Sequence, residues 1–177
     1  MPTRYHPLLV ALHWLIGIAV ILALIAGIAG LEAMPNSDPE KVLALRIHMS
    51  MGIAIGLFMV LRLVTRLAAK SPPPAATGRS GLDRLARAVH VLLYLLVFAM
   101  VSTGLGTAAT AGLFPIVFEG SGAPLPPDFS AYPPRAGHGF FAKLLIGLVL
   151  LHIAAALWHQ FALRDGLMRR MWFGERN

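Results

Sequence analysis

The chain has 177 residues, of which 57% are hydrophobic and 13% are charged, a composition that excludes an ordinary water-soluble domain and predicts a membrane protein. Its formal net charge is +7 at pH 7, but the basic residues concentrate in alternate loops, so the charge reflects membrane orientation and gives no support to nucleic-acid binding. The chain contains no cysteine, which excludes disulfides, thiolate metal sites and iron–sulfur clusters held by this chain.

Four apolar segments are each long enough to cross a membrane as a helix. In chain order they cover residues 8–31, 42–67, 85–109 and 138–163. The first is long for a secretory signal and no clear cleavage pattern follows it, so we expect a retained helix. Because these spans use most of the chain, the sequence predicts a single all-α domain over residues 1–177, a membrane-embedded four-helix bundle.

The distribution of basic residues predicts how these spans are oriented. Most lysines and arginines lie in or next to the loop between the second and third spans and in the C-terminal tail, and Arg4 lies in the N-terminal segment, whereas most aspartates and glutamates lie in the other two loops. Short basic loops stay in the cytoplasm. We therefore expect both termini to be cytoplasmic, in a bacterial inner membrane.

Two of the loops are rich in proline. Residues 71–80 contain three prolines and cannot continue a helix. Residues 110–137 form the longest loop and combine six prolines with several aromatic side chains. Because loops of that length often have a function, this one either folds over the end of the bundle as a lid or is an irregular connector.

Histidines inside the spans indicate a redox centre. His138 and His152 are fourteen residues apart in one apolar segment, which leaves them about 40° apart around a helix and about 21 Å apart along it. Histidine within a membrane is costly and usually functional. One helix could therefore present two metal centres stacked across the bilayer, and two haems, each bound by two imidazoles, are the obvious candidates.

Depth in the membrane pairs these two histidines with partners on other spans. His48 starts the second span near the outer face, at the level of His138, and His13 lies near the inner face, at the level of His152. This arrangement predicts an outer haem b on His48 and His138 and an inner haem b on His13 and His152, with the four imidazoles as axial ligands of the iron.

His90 and His159 also lie at the inner level, so depth alone leaves the inner pair open. A haem needs small neighbours beside its ligands, and glycine or alanine stands four positions after each of the four favoured histidines, whereas bulky residues follow His90 and His159 at that offset. These two histidines could instead serve a proton-linked acceptor such as a quinone, or they could simply contact lipid headgroups. His6 precedes a proline in a polar segment, and we expect it to be solvated.

Two alternatives to haem binding are open at this point. A membrane histidine can bridge helices through hydrogen bonds, and a protein that used all its histidines in this way, without a cofactor, would give a colourless preparation. Zinc is a rival metal, but its sites gather three or four ligands in one place, whereas these histidines pair at two levels.

Short motifs around the histidines carry a family resemblance. They are LHW at residues 12–14, RIHMSMGI at 46–53, RL at 62–63 and 66–67, GH at 137–138, HIAAALWH at 152–159, RD at 164–165 and RRM at 169–171. This pattern resembles the bacterial cytochrome b561 family of four-helix dihaem membrane proteins and, within it, the members that oxidise superoxide. The resemblance covers nearly the whole chain and implies the same two haem pairs, with ubiquinone near His90 and His159.

The resemblance further implies an oxidoreductase that takes electrons from periplasmic superoxide and delivers them to ubiquinone near the cytoplasmic side. Superoxide is a small anion that positive charge would steer, and the candidates are Lys41, Arg46 and Arg135, whose alternative role is to pair with haem propionates. The alternative function is a dihaem membrane-anchor subunit that passes electrons between quinone and a partner dehydrogenase or hydrogenase. The expected partners are therefore lipid, ubiquinone and superoxide, with a redox partner protein left open.

Overall fold

The computed structural model describes residues 2–73 and 80–175, which form helices and turns without a β-strand. The all-α prediction is confirmed. The α-helices are α1 (Pro7–Ile25), α2 (Lys41–Ala68), α3 (Ser80–Thr110), a short α4 (Leu113–Phe118) and α5 (Pro133–Trp158). Turns of π-helix extend α1 over Ala26–Glu32 and α5 over His159–Leu163, and turns of 3-10 helix cover Phe129–Ala131 and Leu167–Met171.

Four of these helices are long and apolar enough to cross a membrane. The candidate spans are Pro7–Glu32, Lys41–Ala68, Ser80–Thr110 and Pro133–Leu163, which confirms the four predicted spans. Large apolar side chains point away from the bundle on every one of them, as Leu57 and Leu67 do at 66% and 79% exposure. Such surface is stable only against lipid, so the helices contact the hydrocarbon of a membrane directly.

The third and fourth helices begin about one turn earlier than the apolar segments predicted. The third begins at Ser80, because the first turn carries Asp83 and Arg84 and therefore lacks the hydropathy of the span. The fourth begins at Pro133. Proline is well tolerated in the first turn of a helix because the N–H that it lacks has no partner there in any case, so the end of the proline-rich loop is already helical.

The centre of the bundle is an apolar core to which all four long helices contribute. It holds seven buried side chains, which are Leu12, Ile16, Val20, Ile55, Met59, Val97 and Leu145. The hydrophobic effect does little to hold helices together in lipid, so close packing of these side chains and hydrogen bonds between helices hold the bundle together.

A second core lies under the longest loop. Leu113 and Val117 of α4 are buried against Leu45 of α2 and Ala108 of α3. Two hydrogen bonds fasten this segment, from Arg46 Nε to Val117 O (2.6 Å) and from Asn36 Nδ2 to Pro126 O (2.7 Å). The loop therefore folds over the bundle, as the first of the two interpretations predicted, and we call this end, formed by residues 33–40 and 111–132, the loop end.

The two termini meet at the opposite end of the bundle. Tyr5 N donates to Arg170 O (3.1 Å), Trp14 Nε1 donates to Met171 O (2.9 Å) and Arg170 Nη1 donates to Pro73 O (2.7 Å). We call this end, which includes residues 4–6, 69–73 and 164–173, the terminal end. The polypeptide leaves the α-helical conformation after Ala68, as the prolines predicted, whereas residues 74–79 of that loop and residues 176–177 of the tail lie outside the described residues.

Candidate functional site

At the loop end two histidines from different helices face each other. The ring centroids of His48 on α2 and His138 on α5 are 6.2 Å apart, and the ring planes are inclined by 79°. The structure therefore brings together the two residues that the depth argument paired at the outer level.

The neighbours of this pair fix one ring and leave polar nitrogen atoms available. His138 Nδ1 donates to Met100 O (3.1 Å), which fixes the tautomer and leaves Nε2 with a free lone pair. His48 Nδ1 is buried and has no hydrogen-bond partner among the described residues, and such an atom is costly unless something else satisfies it. A Cβ on Gly104 would lie 3.2 Å from His138 Cε1, so this glycine makes room for the ring.

At the terminal end three histidines meet instead of two. The ring centroid of His152 on α5 is 6.0 Å from that of His13 on α1 and 5.4 Å from that of His90 on α3. The predicted pair of His13 and His152 is thus in contact. His90, which the sequence placed at this level but assigned to a quinone, lies beside the same imidazole.

His90 also has the hydrogen bond that metal-binding histidines usually have. Its Nδ1 donates to Ala86 O, one turn earlier in α3 (2.6 Å), which leaves Nε2 free. A ring N–H donated to a backbone carbonyl orients most histidine ligands of metals. The geometry therefore allows His90 to be a partner of His152. The sequence predicts the height of each histidine in the membrane but not which helices are neighbours, so the contact between His90 and His152 could not be predicted from it.

Both favoured pairs fit a haem iron between two imidazoles. Metal-to-imidazole nitrogen distances are about 2 Å, so two ligands on opposite sides of one iron have ring centroids about 6 Å apart, close to the 6.0 and 6.2 Å observed. Gly17 and Gly52, each one turn after a ligand, are half-buried, and a Cβ on either would meet no atom within 4 Å. Among the described residues no three His, Cys, Asp or Glu side chains are grouped to hold a metal ion alone, which disfavours zinc.

The three basic residues predicted to steer an anion have different surroundings. Lys41 is 3% exposed, and its ammonium donates to Leu31 O and to Met34 O, the latter at 2.5 Å, at the end of the first span. Arg46 donates to Val117 O and so anchors the loop. Arg135 Nη1 lies over Gly139, 3.1 Å from where a Cβ would stand, and is therefore the one whose charge lies beside the histidine pair.

His159 pairs with an aspartate that sequence reasoning did not single out. Its Nδ1 lies 2.5 Å from Asp165 Oδ2, and Asp165 Oδ1 accepts from Leu167 N (3.0 Å). Partial burial acts to raise the pKa of Asp165, but the hydrogen bonds from His159 and Leu167 outweigh it, and the pKa lies below its usual value. The available sequence signal was the helix end marked by Gly166, where a chain reversal can point Asp165 back at the helix.

A cavity of about 470 Å³ opens at the terminal end. It is lined by Arg4, Trp14, Gln160, Met168, Arg169 and Trp172. Two of these residues, Trp14 and Trp172, make an edge-to-face contact with ring centroids 5.9 Å apart. The cavity thus combines apolar ring faces with guanidinium and amide donors one residue from His159.

Comparisons with known proteins identify a family and several relatives. The family model for prokaryotic cytochrome b561 matches residues 4–174. The protein named cytochrome b561 homolog 2 of Escherichia coli K12 is 32% identical over 175 residues, covering 96% of this chain and 92% of the relative.

Two further relatives are similar over nearly their full length. The probable superoxide oxidase CybB of Yersinia pestis is 28% identical over 179 residues, covering 97% of each chain, and cytochrome b562 of Cereibacter sphaeroides is 28% identical over 171 residues, covering 94% of each. Because the family model spans all four long helices and every histidine discussed above, the chain belongs to the prokaryotic cytochrome b561 family of membrane b-type cytochromes.

Proposed function

We propose that this protein is a dihaem membrane cytochrome that oxidises superoxide at the loop end and reduces ubiquinone at the terminal end. In this proposal the loop end faces the periplasm and the terminal end faces the cytoplasm of a bacterial inner membrane. One observation carries it: α5 holds one member of each facing histidine pair, with ring centroids 6.2 Å apart at the loop end and 6.0 Å apart at the terminal end. The name of the Yersinia pestis relative supports superoxide as the substrate.

The residues that would hold the haems are the members of these pairs. His48 and His138 would bind the iron at the loop end, and His13 and His152 would bind the iron at the terminal end. When bound, two b-type haems would supply one-electron redox centres at the two levels of the membrane. The Met100 carbonyl holds the His138 ring in place, and the loss of such a partner typically lowers metal affinity 10- to 100-fold.

At the loop end the chain would contribute charge and access. Two imidazoles on one iron leave no coordination position for superoxide, so the substrate would react from outside the ligand sphere. Arg135 is the best candidate to attract it, because its guanidinium lies one turn before His138 and over Gly139. Lys41 and Arg46 would add to the positive potential, although both are engaged in hydrogen bonds to backbone carbonyls.

At the terminal end the chain would contribute a quinone site and protons. The cavity beside Gln160 has a volume in the range of small-molecule sites, about 300–1,000 Å³, and its lining offers ring faces and hydrogen-bond donors for a quinone. His90 lies 5.4 Å from His152, and His159 precedes Gln160 in the sequence, so both histidines lie at this end of the bundle, where we propose that they serve a proton-linked acceptor.

The test is to mix the purified, haem-loaded protein with a superoxide source and a soluble ubiquinone analogue. We expect the haems to be reduced by superoxide and reoxidised by the quinone, with quinol as the product. A matched control is His6→Asn, because His6 lies outside both pairs and caps α1 through Leu8 N, a role that asparagine retains. His48→Ala should lose one haem and the superoxide-dependent reduction of quinone, whereas His6→Asn should keep both haems and this activity.

The alternative function gives a different result in the same experiment. An anchor subunit for a dehydrogenase or hydrogenase would bind haem and exchange electrons with quinone, but superoxide would not reduce it at a useful rate, and a larger partner would co-purify with it. If superoxide does not reduce the haems, superoxide is refuted as the substrate, whereas the assignment as a membrane cytochrome is unaffected.

A further inference from the structure

His159, just after α5, lies closer to the terminal end than the pair of His13 and His152. His159 follows His152 by seven residues, which on a helix corresponds to nearly the same direction and to about 10 Å along the axis. The helix loosens into a π-helical turn that starts at His159 itself, and such turns occur frequently at functional sites. His159 therefore lies between the predicted inner ligand and the aqueous surface of the terminal end.

The backbone beyond this turn reverses to bring Asp165 back to His159. Arg164 has φ 52° and Gly166 has φ 72°, so left-handed residues stand on both sides of the aspartate. A left-handed conformation is costly for a residue such as arginine, about 1–3 kcal/mol, and persists only where surrounding contacts impose it. Here the contacts are the hydrogen bond that Leu167 N donates to Asp165 Oδ1 (3.0 Å) and the contact of His159 Nδ1 with Asp165 Oδ2 (2.5 Å).

Exposure differs between the two members of this pair. The Asp165 side chain is 40% exposed and the His159 side chain is 19% exposed, so the carboxylate faces water while the imidazole is more covered by the protein. Asp165 is anionic at neutral pH because its pKa is lowered by its hydrogen bonds, against the effect of partial burial. The anion accepts the Nδ1–H of His159, which leaves Nε2 as the nitrogen that exchanges a proton.

We propose that His159 and Asp165 form the proton-donating pair for quinone reduction at the terminal end, an inference that rests on the proposed function. Oxidation of two superoxide ions yields two dioxygen molecules and two electrons. Reduction of one quinone to quinol takes these two electrons and two protons. His159 gives each proton from Nε2 to a quinone oxygen and recovers it from water at the terminal end, and Asp165 is the positioning residue that holds Nδ1–H and balances the imidazolium charge.

The other charged groups around the pair do not exchange protons near neutral pH. Arginine stays protonated at every physiological pH, and the basic side chains after the π-helical turn and on the 3-10 turn packed against it are arginines, namely Arg164, Arg169 and Arg170. Apart from its arginines, the titratable groups on α3 are Asp83 in its first turn, His90, which lies against His152, and Tyr94, which lies beside Arg62.

A purely structural role for Asp165 can be separated from this one by a conservative change. Asp165 Oδ1 also accepts a hydrogen bond from Leu167 N, the first residue of the 3-10 turn Leu167–Met171, and thereby stabilises the chain reversal. Asparagine can accept the same hydrogen bond, so Asp165→Asn keeps this bond and removes the charge that balances the imidazolium. A matched control is Asp128→Asn, because Asp128 makes the same kind of bond to Ser130 N (2.8 Å) at the loop end, far from the proposed quinone site.

The experiment is stopped-flow spectroscopy of the haem-loaded protein in two steps, reduction of haem by superoxide and reoxidation of haem by a ubiquinone analogue. For Asp165→Asn we expect an unchanged first step and a second step slowed at least about tenfold, within the range by which general acid catalysts act. The rate of the second step in this variant should fall as pH rises through neutrality, and a small weak acid such as imidazole, added at millimolar concentration, should restore it. Asp128→Asn should leave the second step unchanged.

A second step that stays within twofold of the wild-type rate at all pH values, or that imidazole does not restore, would overturn the proposal. If Asp165→Asn loses haem, the same criteria apply to His159→Gln. The outcomes also separate this proposal from the proposed function. A wild-type protein that fails to reduce quinone refutes the function, whereas an active wild-type protein with an unaffected variant refutes only the proton pair.

Discussion

Gly104 offers a way to disturb one histidine pair without touching a ligand. It lies on α3, where a Cβ would stand 3.2 Å from His138 Cε1 and 3.4 Å from His138 Nδ1. Ordinary contacts of a Cβ are 3.4 Å or longer, so Gly104→Ala must move the imidazole by a few tenths of an ångström. The nearest consequence is a longer bond from His138 Nδ1 to Met100 O, which is already 3.1 Å.

Gly104→Ala should lower haem affinity moderately, although it should slightly raise the stability of the helix. A lengthened, weaker hydrogen bond costs up to about 1 kcal/mol, which corresponds to about fivefold weaker haem binding at the loop end and is less than the 10- to 100-fold typical of complete loss of such a partner. Alanine is about 1 kcal/mol better than glycine within a helix. The variant should therefore unfold no more easily than the wild type while it releases one haem more readily.

The assay is titration of apoprotein in detergent with haem b, followed by absorbance, for wild type, Gly104→Ala and the control Gly147→Ala. Gly147 lies on α5, and a Cβ there would meet no atom within 4 Å. We expect one of two binding phases to weaken about fivefold for Gly104→Ala and neither for Gly147→Ala. Equal affinities in all three proteins would refute the placement of a haem against His138.

Four further predictions follow from the same contacts. Arg135→Gln should slow haem reduction by superoxide and flatten its dependence on ionic strength, because a steering charge has been removed; an unchanged salt profile would argue against steering. Lys41→Met should lower the free energy of unfolding by about 1–3 kcal/mol in a denaturant titration, since the carbonyls of Leu31 and Met34 lose a buried donor. His152→Ala should lose one haem in a haemochrome assay, whereas His159→Ala should keep both and reduce quinone more slowly; pigment loss in the second variant would overturn the inner pair. The folded pKa of Asp165 lies below its unfolded value, so its stabilising effect is complete above about pH 4 and is lost as pH falls through the folded pKa, a loss that acid unfolding should show in the wild type and not in Asp165→Asn.

The sequence predicted the spans well because hydropathy reports directly on what a membrane requires. It predicted the beginnings of α3 and α5 less well, since a helix continues into polar residues such as Asp83 and begins at prolines such as Pro133, where apolar character gives no guide. The π-helical turns at Ala26–Glu32 and His159–Leu163 have no local sequence signature, because they depend on how each helix end meets its neighbours.

For the candidate site, the sequence predicted the depth of each histidine in the membrane but not all of its contacts with other helices. Counting residues from the ends of the spans placed His48 with His138 and His13 with His152, and the structure brings each pair into contact. Counting could not show that His90 lies against His152, because contacts between helices depend on their order around the bundle. The sequence predicts Lys41 to steer an anion or to pair with a haem propionate, but it gives no sign that Lys41 is buried and donates to the backbone carbonyls of Leu31 and Met34.

The measurement that tests the central claim most directly is the number of b-type haems bound per chain in the purified protein, determined by the pyridine haemochrome method against a quantitative amino-acid analysis. The two facing histidine pairs predict two haems per polypeptide, one of which is lost in His48→Ala. A preparation with one haem or none, or a His48→Ala variant that still binds two, would contradict the account.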